Sequence, residues 1–245
     1  MGSQWIHCGG QALESMLADT DLIDAQYLVA LGEAGGVVPS WQECPREAFI
    51  TVQSLWQLRC WGFINLPVLV LSYPWLDREH PDRLGEQLKR LVGVLRAFIA
   101  KAKEYGRHAT VGVLWDYMSL PQKPYRDVDE EARFGRGLRA INIWYAHPCT
   151  HCLLVKNPLP TGASYTNTRT YSERGWTFFE ERVSALVKDD YCLWDLSRYD
   201  GAGTYAGCIR QMAKVQNSVR KQKRGSTCAA LLCGHLQPLP PRKLV

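Results

Sequence analysis

The chain has 245 residues, 46% of them hydrophobic and 22% charged, with nine tryptophans and nine cysteines. This is the profile of a soluble globular protein, one large domain or one domain with an appendage, and no apolar run is long enough to span a bilayer. All 24 acidic residues precede position 201, so the first 200 residues carry −3 and the remainder, with eight basic residues and no acid, +8.

Met1-Gly2-Ser3-Gln4-Trp5-Ile6 opens like a myristoylation site, but Ile6 stands where Ser or Thr is needed. The first ten residues also lack the basic start and apolar stretch of a secretory signal. Residues 1–62 read as a helical N-terminal extension. Asp21 to Glu33 carries Leu22, Ala25, Leu28, Val29 and Leu31 at near-helical spacing, with Gly35-Gly36 as its stop. Arg46 to Leu58 reads as a second helix, with Phe49, Val52, Leu55 and Trp56 on one side.

The pattern then changes. Leu66 to Tyr73 is a short continuous apolar run, the mark of a strand buried on both faces. Leu84, Leu88, Leu91, Val92, Leu95, Phe98 and Ile99 repeat at helical spacing to about Tyr105, and Gly106 closes that helix. Thr110 to Asp116 is a second buried strand, and Ser119 to Asp129 a polar loop. A helix follows with Phe134, Leu138, Ile141 and Tyr145 on one side. Cys149 to Val155 is a third strand, 157–170 a long loop, Glu173 to Leu186 a helix, and Tyr191 to Asp195 a fourth strand. A last helix runs from Thr204 to Lys223, with Tyr205, Ile209, Met212, Val215 and Val219 inward. Strands alternating with helices in this way specify a parallel sheet covered on both faces, over residues 63–224. Residues 225–245 form a basic tail expected to lack order.

Nine scattered cysteines favour reduced thiols in a cytoplasmic, reducing compartment over a disulfide framework. The cluster His147-Pro148-Cys149-Thr150-His151-Cys152 has no second ligand pair at zinc-type spacing and reads as part of a buried strand, so no metal is expected.

An open parallel sheet binds ligands beyond the carboxyl ends of its strands. Ser72-Tyr73-Pro74-Trp75 ends the first strand, Asp116-Tyr117 ends the second, and Glu180 lies in the first turns of the helix after the third. Tyr73, Trp75, Asp116, Trp176 and Glu180 are therefore expected on one rim, and Trp176 and Glu180, four apart, share a helix face. Aromatic plates with two carboxylates suit a flat heteroaromatic ligand carrying ribose hydroxyls. No Gly-x-Gly-x-x-Gly follows any strand, and there is no Walker loop or Gly-x-Ser-x-Gly elbow. A second reading of the same helix stays open: Thr177 as its cap, Glu180 closing a capping box, Trp176 in the core and Arg174 paired with a carboxylate.

The segments Leu71-Ser72-Tyr73-Pro74-Trp75, Leu114 to Gln122 and Arg174-Gly175-Trp176-Thr177-Phe178-Phe179-Glu180 resemble, in this order, the LSYxWG, WIDxxCINQ and RxWTxQE motifs of the heterokaryon-incompatibility (HET) domain. The resemblance covers roughly residues 66–187. Pro74 intrudes into the first motif and Leu76 replaces its last glycine. Ser119-Leu120-Pro121-Gln122 stands for Cys-Ile-Asn-Gln, and Phe179 for the Gln before the glutamate.

The family is regarded as a divergent relative of the TIR domain. The resemblance thus implies a flavodoxin/TIR-like parallel sheet of about four to five strands with helices on both faces. The Trp176–Glu180 spacing is similar to the Trp-x-x-x-Glu of TIR domains that hydrolyse NAD, where the glutamate is catalytic. This implies Glu180 as the catalytic residue, Tyr73, Trp75, Asp116 and Trp176 as substrate-binding residues, NAD as substrate and no required cofactor.

Two functions follow as expectations. One is an intracellular signalling domain, of the kind used in cell death or immunity, that hydrolyses the nicotinamide–ribose bond of NAD. The other is a non-catalytic interaction module that self-associates, recruits a protein partner or serves as a subunit of a larger assembly. Its basic C-terminal helix could contact an anionic surface.

Overall fold

Continuous apolar strands need cover on two faces, and the helical stretches between them supply it. The structure, a computed structural model, describes residues 11–51, 66–104, 109–161 and 164–213. Five strands form one sheet: β1 (Ile23–Asp24), β2 (Val68–Ser72), β3 (Gly112–Leu114), β4 (His151–Leu154) and β5 (Leu193–Asp195), in the order β1-β3-β2-β4-β5. The last four are parallel; β1 pairs antiparallel with β3, Ile23 opposite Val113. The parallel strands thus lie second-first-third-fourth, the order of flavodoxin-like sheets, and the switch point falls between β2 and β4.

All five residues of β2 are buried. Leu69 and Leu71 face one core with Val113, Trp115 and Leu153, against α2 (Ala25–Glu33), α3 (Glu86–Lys103) and α8 (Tyr205–Met212). Val68 and Val70 face the other with Leu114, Cys152 and Leu154. That second core is closed by α1 (Gln11–Met16), α6 (Asn142–Ala146) and α7 (Gly175–Val187). Each large apolar side chain moved from water into these layers stabilises the fold by roughly 1.5–3 kcal/mol.

Several sequence expectations need correction. Residues 21–24 are not the first turn of a helix. Leu22 and Ile23 are both fully buried but in opposite cores, a period of two, as the chain enters the edge strand β1. Helical spacing starts only at Ala25, where the Asp24 carboxylate caps α2 by accepting from the Gln26 N–H at 2.7 Å. The N-terminal extension is therefore part of the sheet.

Of Arg46 to Leu58, the described part holds a single 3₁₀ turn, Arg46–Ala48, before Phe49 becomes extended; residues 52–58, which carry most of the expected helix, lie outside the described residues. The stretch through Phe134 and Tyr145 is two helices, α5 (Val128–Ala140) and α6, broken at Ile141. Ile141 and Tyr145 reach the core, whereas Leu138 stays 39% exposed.

Leu84 also lies outside its helix. Gly85 turns left-handed at φ 68°, and the buried Asp82 caps α3 through the Gln87 and Leu88 N–H groups at 3.0 and 2.9 Å. Gly106, Val215, Val219, the segment 1–10 and the tail 225–245 lie outside the described residues. Among the described residues no helix is long and apolar enough to cross a membrane.

Candidate functional site

The carboxyl ends of β2, β3 and β4 open onto a cavity of about 530 Å³. Tyr73 and Trp75 follow β2, Asp116 follows β3, and Trp176 and Thr177 begin α7; all five line this cavity. Leu120, Gln122, Phe134 and Leu138 also line it. The fold thus joins four of the residues expected on the rim in one wall.

Asp116 organises that wall. One of its oxygens accepts from the Tyr73 hydroxyl and from the Tyr117 N–H at 2.7 Å, and the other from the Trp75 indole N–H at 3.2 Å. Burial raises its pKa and the Tyr73 hydrogen bond opposes that rise. Tyr117 packs edge-on against both Trp75 and His80, at 5.6 and 4.9 Å between ring centres. Asp116, which the resemblance implies as a ligand contact, thus makes all three of these bonds within the protein.

Arg174 does not pair with a carboxylate. Its guanidinium donates to the carbonyls of Arg169, Asn167 and Trp75, tying the 157–170 loop to the turn after β2. Gln42 of the extension braces the far wall. Its amide nitrogen donates to the Gln122 carbonyl, and its amide oxygen accepts from the Gln122 N–H at 3.0 Å. Trp41 beside it donates to Asp21 at 2.7 Å and lies under the Arg126 and Arg133 guanidinium groups. Gly137 lets α5 come close, since a Cβ there would meet Leu120 at 2.4 Å.

Glu180 sits one layer behind the cavity, 3% exposed. Its carboxylate accepts from the Ser72 hydroxyl at 2.6 Å, a bond that spans the switch point from the end of β2 to the helix after β4. Tyr145 and Trp176 lie close to it and help oppose the rise in its pKa, while the Tyr145 hydroxyl itself donates to the Leu71 carbonyl at 2.7 Å. Trp176 thus both lines the cavity and lies beside the carboxylate. Burial lifts the Glu180 pKa to about 8, with the Ser72 bond opposing the rise and Asp116 adding to it.

The capping-box reading fails on this geometry. The N-cap of α7 is Arg174, whose side chain makes no capping bond. Thr177 donates to the Tyr171 carbonyl, and Glu180 bonds to another element. Trp176, expected in the core on that reading, is 47% exposed.

Tyr145, Tyr171, Phe134 and Leu138 also lie at or beside the cavity, and the strand-end pattern does not mark them. Ser72 carried a signal: it is the one polar side chain in an otherwise apolar, fully buried strand. Tyr171, in a 3₁₀ turn closed by the reciprocal Thr170–Glu173 pair, offered none.

His151 is core, stacked on Trp194 at 4.8 Å, and burial drops its pKa to about 3. The His147 ring accepts from the Cys149 N–H at 3.1 Å. Among the described residues no group of three His, Cys, Asp or Glu side chains is placed to hold a metal. No family model, curated protein or solved structure matches this chain at a significant level.

Proposed function

We propose that this chain is a HET/TIR-like domain that takes a nicotinamide dinucleotide into the switch-point cavity and hydrolyses its nicotinamide–ribose bond. One observation carries the reading: a buried carboxyl, bonded across the switch point to Ser72, stands directly behind an aromatic-walled cavity. Breaking that bond builds positive charge on the ribose, so an anion held beside it favours the transition state over the ground state. Tyr73, Trp75 and Trp176 offer stacking faces for the flat rings. The cationic nicotinamide ring also favours ionisation of Glu180 as it enters, which offsets the effect of burial. For the ribose to reach the carboxylate, Trp176 turns out of the wall it shares with it.

The test is nicotinamide release from NAD by the purified chain, wild type against Glu180→Gln. The variant keeps shape and hydrogen-bond capacity but loses the charge. A fall of at least ~100-fold is expected; release at an unchanged rate sinks the proposal.

A second reading, the interaction module, draws on a different observation. Helix α7 leaves Trp176, Phe178, Phe179 and Leu186 exposed, a patch of the kind that marks protein contacts. Sedimentation over a range of concentrations tests self-association, and a Phe178→Asp variant is expected to abolish it if the patch is the contact.

A further inference from the structure

The Ser72 hydroxyl has one hydrogen and two close oxygen partners, the Glu180 carboxylate and the Tyr171 hydroxyl, each at 2.6 Å. Ser72 is fully buried and Tyr171 nearly so. Ionised Glu180 has no proton to give, so Ser72 donates to it and accepts from Tyr171. Protonated Glu180 donates to Ser72 instead. Ser72 then turns its hydrogen to the Tyr171 oxygen, and Tyr171 turns its own to the Thr177 carbonyl at 3.2 Å. Both arrangements use the same heavy-atom positions, and in both each buried hydroxyl has an acceptor.

We propose that Ser72 and Tyr171 form a two-hydroxyl relay that reverses direction with the proton on Glu180, making Ser72 the positioning residue that holds this carboxyl in place in both charge states. The proton itself comes from or leaves to solvent; within the relay only O–H bonds rotate. The inference rests on Glu180 being the working carboxyl of the proposed reaction, and it adds what that reading lacks. A buried acid with no partner of reversible polarity would be locked in its neutral form.

The frame of the relay is fixed independently of the proton. The Ser72 carbonyl accepts from the Val155 N–H at 2.8 Å in the sheet edge, and Lys156 lies over the Tyr171 ring at 5.5 Å. The other titratable groups facing it are Asp116 after β3, Tyr73 after β2, Tyr145 on α6, Cys152 on β4 and the Lys156–Glu181 ion pair. None of these takes either oxygen position at Ser72, so the two variants below act on the relay alone.

The experiment follows the Glu180 carboxyl by NMR across pH in the full chain labelled with carbon-13 glutamate, its resonance assigned by its loss in Glu180→Gln. Ser72→Ala removes the partner of both forms but costs the ionised carboxylate more, since its bond is charge-assisted, so the titration midpoint rises, by about one unit or a tenfold gain in proton affinity. Tyr171→Phe removes the acceptor that only the protonated arrangement needs and strands a buried O–H, so the midpoint moves down. Ser72→Thr, which restores the hydroxyl, brings the midpoint back towards wild type. Midpoints that stay put in Ser72→Ala, or that move the same way in both deletions, overturn the relay. The measurement needs no substrate, so failure to cleave NAD alongside opposite shifts would fault the proposed activity and leave the relay standing.

Discussion

Glu180 and Lys188 lie eight residues apart on the same stretch of chain, one inside α7 and one at its C-cap, and burial moves both from opposite directions. The carboxyl rises to about 8 and the ammonium falls to about 8. Their surroundings differ in kind. Lys188, 1% exposed, gives its three N–H bonds to the His147 carbonyl, the Thr150 carbonyl and the Thr150 hydroxyl, which uses every donor it has. It is a staple between the end of α7 and the turn into β4, with nothing left for a ligand. Glu180 is held by the Ser72 hydroxyl, which can change partners, and Trp176 beside it walls a cavity. Burial and a shifted pKa are common to both; only the neighbours separate a fastening from a site.

Stability against pH separates the two most sharply. Between about 4.5 and 8 the folded Glu180 keeps a proton that the unfolded chain has lost, so its contribution is complete below 4.5 and drains away as pH rises. From about 8 to 10.5 the folded Lys188 has lost a proton that the unfolded chain keeps, so stability recovers. Together the two groups set a minimum near pH 8. In denaturant titrations, the falling branch is expected to carry on the order of 3–5 kcal/mol and to flatten in Glu180→Gln. A wild type and variant that track each other across that range would deny the burial of this carboxyl.

Lys188→Met comes next. It keeps the stem but strips the Thr150 carbonyl of its donor and weakens the bonding around the His147 carbonyl and Thr150 hydroxyl, which keep their bonds to each other, and a loss of about 3 kcal/mol at neutral pH is expected. Nicotinamide release per folded molecule should hold at the wild-type rate. A stable variant, or one that folds but has lost turnover, would erase the distinction between staple and site.

Asp116→Ala removes the acceptor shared by Tyr73, Trp75 and the Tyr117 amide. The expected cost is about 2 kcal/mol of stability and roughly tenfold weaker nucleotide binding by calorimetry. Leu138→Ala should act least. It sits half out of the core on the cavity wall, so stability stays within about 0.5 kcal/mol while nucleotide affinity falls a few-fold.

The fold was largely legible because its parallel strands are short and wholly apolar, a pattern that leaves few alternatives to a sheet covered on both faces. The edge strand was hidden. Leu22 and Ile23 sit against the start of a true helical period, and two residues are too few to show alternation. Tyr73, Trp75 and Asp116 could be placed because each follows closely on a strand end. What the sequence does not show is depth. Trp176 and Glu180 share a helix face in any reading, yet one proves to be wall and the other the layer behind it, because α7 is set by contacts of Tyr145, Tyr171 and Thr177 that no local spacing reports. Phe134 and Leu138 misled for a related reason: an amphipathic helix face fits a cavity as well as a core.

The most direct measurement is the rate of nicotinamide release from NAD as a function of pH, wild type beside Glu180→Gln. The expected result is a wild-type rate that climbs through a midpoint at or, once the cationic ring is bound, somewhat below about 8, as Glu180 ionises. The variant should be slow and show no such rise. A wild-type rate that is flat across that range, or a variant that reproduces the same curve, would contradict the assignment of Glu180 as the carboxylate that faces the breaking bond.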